Sequence, residues 1–164
     1  MQEFSVPAAY LVQPDDNITD DIVTNAENHP GDVGLRVKVN GTWAPVTWRE
    51  FARQVRELAA GFIAAGIEPG DRVALMCQTR LEWTLLDYAI LTAGAVTVPV
   101  YPTSSLEQIE WILGDSGAVA AVAETGDHAS KIAAGRPRLP ALIHVWQIDG
   151  AAPALEELAA VARR

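Results

Sequence analysis

Glu68-Pro69-Gly70-Asp71-Arg72-Val73-Ala74-Leu75-Met76-Cys77 is the stretch that decides how this chain folds. Pro69 and Gly70 stand where a turn needs them. Arg72–Cys77 is then a short apolar run, the mark of a strand buried on both faces. Two further runs of this kind follow, Ala95–Val100 and Ala118–Ala123, and Leu142–Trp146 reads as a fourth strand. Helical patterns separate them. Leu81–Ala93 ends at Gly94. A second helix is capped by Ser104 and Ser105, with Glu107 and Gln108 placed to complete a capping box. It carries Ile109, Ile112 and Leu113 and ends near Gly114–Gly117. Gly126–Ala134 predicts a weaker helix and Leu155–Val161 a last one. Strands alternating with helices at this spacing imply right-handed crossovers and a mostly parallel sheet with helices on both faces. The predicted fold class is α/β.

Upstream of the turn, Thr47-Trp48-Arg49-Glu50 has the form of a capping box. Behind it Trp48, Phe51, Val55, Leu58 and Phe62 recur at spacings of three and four, with Arg49, Arg53, Arg56 and Glu57 between them. That is an amphipathic helix of about five turns, with Gly66 as its C′ residue. Before it, Gly34–Val39 and Thr42–Val46 flank Asn40-Gly41, which predicts an antiparallel β-hairpin. A first helical signal runs from Asn17 to Asn28 and stops before Pro30. The Ala-rich stretches Ala118–Ala123 and Ala151–Ala162 suit tight packing of helix on sheet. Gly135–Pro140, with Pro137 and Pro140, reads as the flexible connection.

The 164 residues carry 12 basic and 21 acidic side chains, a net charge of −9. Phosphate binding needs clustered Lys and Arg, so nucleic acid is excluded as a partner, and an anionic membrane surface likewise. The only lysines are Lys38 and Lys131. Cys77 is alone, so no intramolecular disulfide and no Cys-based zinc site can form, which fits a reducing, cytoplasmic setting. No apolar run approaches the roughly 20 residues of a membrane span, and Met1–Tyr10 lacks a basic signal region. The first 34 residues hold Glu3, Asp15, Asp16, Asp20, Asp21, Glu27 and Asp32 and no Lys or Arg. Acids there favour the positive end of a helix dipole, and a solvated helix start is preferred over a metal site.

Several chemistries fail on spacing. No two of the 12 glycines are two residues apart, so there is no dinucleotide fingerprint. Neither lysine follows a glycine, so there is no P-loop, and no serine sits in a nucleophile elbow. His29, His128 and His144 lie on three different elements, and Cys77 reads as a small core residue. Ligands of a parallel sheet approach the carboxyl ends of its strands. Here those are Gln78–Arg80 and Tyr101–Ser105. The second loop carries a phenol, hydroxyls and a stiffening proline, and leads into a helix start whose amides suit an anion. Its plainer reading is a capped turn. Likewise Arg80–Glu82 reads as a surface pair of little worth, and Trp83 as a packing anchor.

The residues also resemble a known family, the adenylate-forming (AMP-binding) enzymes. Thr47-Trp48-Arg49-Glu50-Phe51 is similar to the family's opening helix, and Gly66-Ile67-Glu68-Pro69-Gly70-Asp71-Arg72-Val73-Ala74 resembles its Gly-Val-x-x-Gly-Asp-Arg-Val-Ala segment. Arg80-Leu81-Glu82-Trp83 and Gly94-Ala95-Val96-Thr97-Val98-Pro99-Val100-Tyr101-Pro102-Thr103 look like the matching segments of its long-chain acyl-CoA synthetases. Gln108-Ile109, Ile112-Leu113 and Asp115-Ser116-Gly117-Ala118 fit the next helix and strand. The likeness covers about residues 17 to 125.

The resemblance implies the opening part of an AMP-forming long-chain fatty-acid–CoA ligase. Residues 1–16 would be an N-terminal extension, and 17–164 part of the AMP-binding domain, truncated at its C-terminal end. Such enzymes join ATP and a fatty acid, with Mg2+, into an acyl-adenylate and pass the acyl group to CoA. Their Ser/Thr/Gly-rich loop with Lys, their Tyr-Gly-x-Thr-Glu segment, their ribose-holding Asp and their C-terminal Lys have no counterpart here. No catalytic or metal-binding residue is therefore assigned, and the isolated chain is expected to be inactive and to bind none of these ligands tightly. Tyr101, Pro102 and Thr103 are carried over as a CoA-side loop. A sheet cut from a larger domain should self-associate through an uncovered apolar face. The whole enzyme would be cytoplasmic, with peripheral membrane contact open to it. The alternatives are another acyl- or aryl-activating enzyme of the superfamily, or a non-catalytic α/β interaction module with the acidic N-terminal segment as its partner surface.

Overall fold

The computed structural model describes residues 4–7, 11–13, 16–150 and 154–161. Glu3, Asp15 and residues 151–153 and 162 of the second Ala-rich stretch lie outside the described residues. The order is α1 (Asp20–Asn28), β1 (Val33–Val39), β2 (Thr42–Thr47), α2 (Trp48–Ala64), β3 (Arg72–Met76), α3 (Leu81–Thr92), β4 (Val96–Val100), α4 (Leu106–Ser116), β5 (Ala120–Ala123), α5 (Gly126–Gly135), β6 (His144–Gln147) and α6 (Ala154–Val161). The strands β1 and β2 pair antiparallel as a separate hairpin. The other four form one wholly parallel sheet in the order β4-β3-β5-β6. The α/β architecture expected from the alternating pattern is the one observed.

Side-chain alternation along β3 and β5 builds two cores. Val73, Leu75, Ala120 and Val122 face α2, α3 and α6, among Phe51, Phe62, Leu86 and Ile90. Ala74, Met76, Ala121 and Ala123 face α4 and α5, among Ile109, Leu113 and Ile132. Each fully buried side chain of Val, Leu, Ile or Phe size contributes about 1.5–3 kcal/mol. The alanines of β5 let helices settle close on both faces, as the Ala-rich run predicts.

The same device ends three helices. After α2, α3 and α4 the chain turns through Gly66, Gly94 and Gly117 at φ of 90°, 79° and 63°. In each case the next amide reaches back to the helix: Ile67 to the Phe62 carbonyl, Ala95 to Ile90 and Ala118 to Leu113, each at 3.0 Å. This is the Schellman arrangement, and it places a buried residue directly after the glycine. The hairpin turn likewise has positive φ at both Asn40 (49°) and Gly41 (83°), the type I′ pattern that twists with its strands.

Arg72 ties the sheet together. Its guanidinium donates to the carbonyls of Gly70 (2.8 Å), Ser116 (2.8 Å) and Gly117 (2.9 Å). It thus joins the turn before β3 to the end of α4.

Four local expectations change. The first helix starts at Asp20, because Asn17 is used in a turn: its side chain accepts from the Thr19 amide at 3.0 Å, and its amide donates to Asp20. The Thr47 box is half formed. Thr47 accepts from the Glu50 amide at 3.3 Å, but the Glu50 carboxylate turns to Arg53 and Gln54 instead of back to the cap. The Ser105–Gln108 box is complete in both directions, and Ser104 is buried beside it rather than capping. The expected flexible connection at 135–140 is an ordered 3-10 turn (Arg136–Arg138). Arg138 pairs with Glu110 of α4, Arg136 donates to the Ile143 carbonyl, and Leu139 is buried.

The backbone of α6 lies so close to α2 that a Cβ on Gly61 would sit 2.3 Å from the Leu158 carbonyl oxygen. Gly61→Ala should therefore destabilise the fold by about 1–3 kcal/mol, although alanine favours an isolated helix by up to ~1 kcal/mol. Urea denaturation checks this. A stabilised variant would contradict the close approach of the two helices.

Candidate functional site

The strand order sets where a crevice can open. The crossover after β3 runs to α3 on one face, and that after β5 runs to α5 on the other. Adjacent strands whose exits diverge in this way leave a gap at their carboxyl ends, the usual ligand position in open α/β sheets. In this chain the gap is filled by Arg80. Its Nε and Nη2 grip the Glu82 carboxylate (2.6 and 3.1 Å), while Nη1 reaches Asp149 (2.6 Å) and Glu124 (3.3 Å). The other Glu124 oxygen accepts from the Gln78 amide at 2.8 Å. One guanidinium thus holds the exits of β3, β5 and β6. Hydrogen bonds to Glu82 and then Asp149 raise the Arg80 pKa further, so the charge is permanent. The surface pair expected at Arg80–Glu82 is really one edge of a four-residue network. Glu124 and Asp149 went unread because they lie 44 and 69 residues downstream. Their one signal is position, each just after a predicted parallel strand.

Beside this plug an open cleft of ≈ 340 Å³ separates the exits of β3 and β4. The two loops marked in the sequence meet there: Cys77, Gln78 and Thr79 come from one and Tyr101 and Pro102 from the other, and Trp83 also lines the cleft. Thr103 is exposed and is not among the lining residues. A hydrogen bond from the Ser104 amide to the Tyr101 carbonyl (2.9 Å) shapes the loop. Tyr101 is 81% exposed and forms a ridge. Beyond it lies a second, more apolar groove of ≈ 460 Å³ along α4, bounded by Trp111 and Ile112. The complete box at Ser105 already uses two of the donors at the α4 start, which weakens that helix end as an anion site.

Cys77 is a buried core residue, as its apolar run predicts. Burial, and then the nearby Glu124 carboxylate, push its thiol up to about 12, so it is no nucleophile at neutral pH. The histidines stay on separate elements: His29 beside Asp32, His128 on α5, and His144 stacked on Trp146 at 5.0 Å. Among the described residues no three His, Cys, Asp or Glu side chains form a group that could hold a metal ion. The acidic residues Asp20 and Asp21 occupy the first turn of α1, where the helix dipole favours them. No helix among the described residues is long and apolar enough to cross a membrane.

Comparison with known proteins matches residues 22–163 to the profile of the AMP-binding enzyme family. This chain belongs to that family. A curated relative, the long-chain-fatty-acid–CoA ligase FadD15 of Mycobacterium bovis, is 45% identical over 159 residues, 96% of this chain. The chain spans about a quarter of that relative's length, 26%. An uncharacterized protein of Mycobacterium tuberculosis is 34% identical over 125 residues, covering 76% of this chain and 68% of that protein. Among solved structures, the long-chain-fatty-acid–CoA ligase FadD1 of Archaeoglobus fulgidus superposes with a TM-score of 0.82. It covers 96% of this chain and 32% of that one, at 18% identity, a likeness of fold alone.

Two substitutions test the electrostatics of this AMP-binding family member. Arg80→Gln leaves three carboxylates facing one another and should lower stability by about 1–2 kcal/mol at neutral pH. A denaturation midpoint insensitive to the change would sink the network. Because the folded Cys77 pKa lies above its ordinary value of 9.0, the folded state holds that proton longer than the unfolded chain does. Its contribution is present below about pH 9 and fades as pH rises toward 12. The stability difference between wild type and Cys77→Ala should therefore stay flat up to pH 9 and fall above it.

Proposed function

We propose that this chain is the opening portion of a long-chain fatty-acid–CoA ligase, with residues 1–16 as an extension and 17–164 as part of its AMP-binding domain. The observation that carries this reading is the 45% identity to the FadD15 ligase across 96% of the chain. The whole enzyme would activate a fatty acid with ATP and Mg2+ to an acyl-adenylate, release pyrophosphate, and transfer the acyl group to CoA.

Within that reaction these residues supply scaffold and one wall. Neither lysine follows a glycine, and no carboxylate group among the described residues is arranged for a cation. The residues here thus do not fit a magnesium–triphosphate, and its charge stabilisation falls to other parts of the ligase. The cleft between Gln78–Thr79 and Tyr101–Pro102 fits a CoA-side role. It is open at the carboxyl ends of parallel strands and pairs polar loop groups with apolar walls. In this reading Tyr101, Pro102 and Thr103 form the loop facing CoA, with Thr103 at its outer end. The exposed Val96, Leu106 and Trp111 on the β4–α4 side offer an isolated chain a surface for self-association. Fatty acid, ATP and CoA would be the partners of the whole enzyme, which would work in the cytoplasm.

The test is ATP–pyrophosphate exchange with a long-chain fatty acid. The 164-residue chain should give background exchange only, and the gene read past Arg164 should encode a Ser/Thr/Gly-rich loop with a lysine. Robust exchange by the chain itself would overturn the scaffold assignment. A gene without such a loop would overturn the ligase.

A further inference from the structure

The hairpin leaves an edge open against a groove. Its two-residue turn makes Val39–Thr42 a hydrogen-bonded pair. Alternation then makes Lys38–Trp43 and Arg36–Pro45 non-bonded pairs. Pro45, which has no N–H, stands where none is needed. The peptide groups of Arg36 and Lys38 therefore point away from β2, toward the outer edge of β1. A groove of ≈ 740 Å³ runs there, between β1 and the opening turn of α3. Among the described residues, no backbone hydrogen bond crosses it from Arg36 or Lys38.

The two faces of β1 differ in chemistry. Leu35 and Val37 share one face and are half-buried, with Leu35 packed on the core. Arg36 and Lys38 are exposed on the other face with Trp43. Neither cation makes an ion pair among the described residues. In a chain of net charge −9, Arg36 and Lys38 thus place two neighbouring cations without ion pairs on an open strand edge, where they complement carboxylates. A two-stranded ribbon is also marginal by itself and gains from a third strand.

We propose that the outer edge of β1 docks an extended segment of a partner polypeptide in which carboxylates alternate with β-branched residues. Main-chain hydrogen bonds to Arg36 and Lys38 would supply register, and alternate side chains would supply selectivity. The carboxylates lie beside Arg36 and Lys38, and the β-branched residues beside Leu35 and Val37. A second copy of β1 is a poor occupant, because it would set these cations against their own kind. The proposal stands apart from the ligase reading and would survive its failure.

The probe is a capped hexapeptide of alternating Glu and Val, added to the isotopically labelled 164-residue protein. Amide exchange at Arg36 and Lys38 should slow at least tenfold, and the Trp43 indole resonance should shift. Methylating alternate peptide nitrogens of the probe, replacing its Glu with Lys, or introducing Arg36→Glu with Lys38→Glu should each weaken binding at least tenfold. An unchanged thermal midpoint confirms that the double variant is folded. No slowing at these two amides with millimolar peptide would overturn the proposal. So would equal binding of the methylated probe, which rules out strand addition, or of the Lys probe, which rules out charge selection.

Discussion

Three carbonyls at the amino ends of two adjacent strands depend on one side chain. Arg72 opens β3, and its guanidinium bonds the carbonyls of Gly70, Ser116 and Gly117. Those groups belong to a turn and a helix end, whose carbonyls have no partner inside their own elements. Charge-assisted hydrogen bonds are stronger than neutral ones, and the two that reach Ser116 and Gly117 are part-buried. The fit is tight, since a Cβ on Gly117 would come within 3.0 Å of an Arg72 nitrogen. β3 is the strand with β4 on one side and β5 on the other, so its placement sets the sheet. The crevice at the far end inherits that placement.

Much of this was legible from local chemistry. Glycines at 66, 94 and 117 signalled helix ends because only a left-handed residue lets the next amide turn back. Asn40-Gly41 signalled the hairpin for the same reason. What periodicity could not give was lateral order. Nothing in Ala118–Ala123 says that it lies beside Arg72–Cys77 rather than beyond Ala95–Val100. Yet that choice places Glu124 against Gln78 and Arg80. The site was partly readable for the same reason. The loops after the first two parallel strands were marked, and they meet in a cleft through Tyr101 and Pro102 but not Thr103. The half-formed box at Thr47 shows a different limit. Arg53 competes for Glu50 and holds its carboxylate acidic through a direct hydrogen bond, which no capping pattern records.

The two sides of the strand exits divide the work. Between β3 and β5, where a ligand would enter a sheet of this order, Arg80 and its three carboxylates form a fixed plug. Between β3 and β4 the exits stay apart. The plug fixes the Gln78 amide through Glu124, so one wall of the open cleft is held by the closed one. Rigidity at a cleft wall is what limits the orientations a bound group can take.

The position of β5 has a consequence for the order in which the chain acquires structure. The hairpin, α2 and the β3–α3–β4 unit use contacts near in sequence, but β3 gains its second neighbour only from residues 120–123. During synthesis, a nascent chain that has emerged only as far as α3 has Arg72 without the Ser116 and Gly117 carbonyls, and Arg80 without Glu124 and Asp149. Both guanidiniums wait on non-local partners, which slows the closing step relative to the local ones. The two arginines therefore stand as clasps at the two ends of one strand, each completed only by residues more than forty positions downstream.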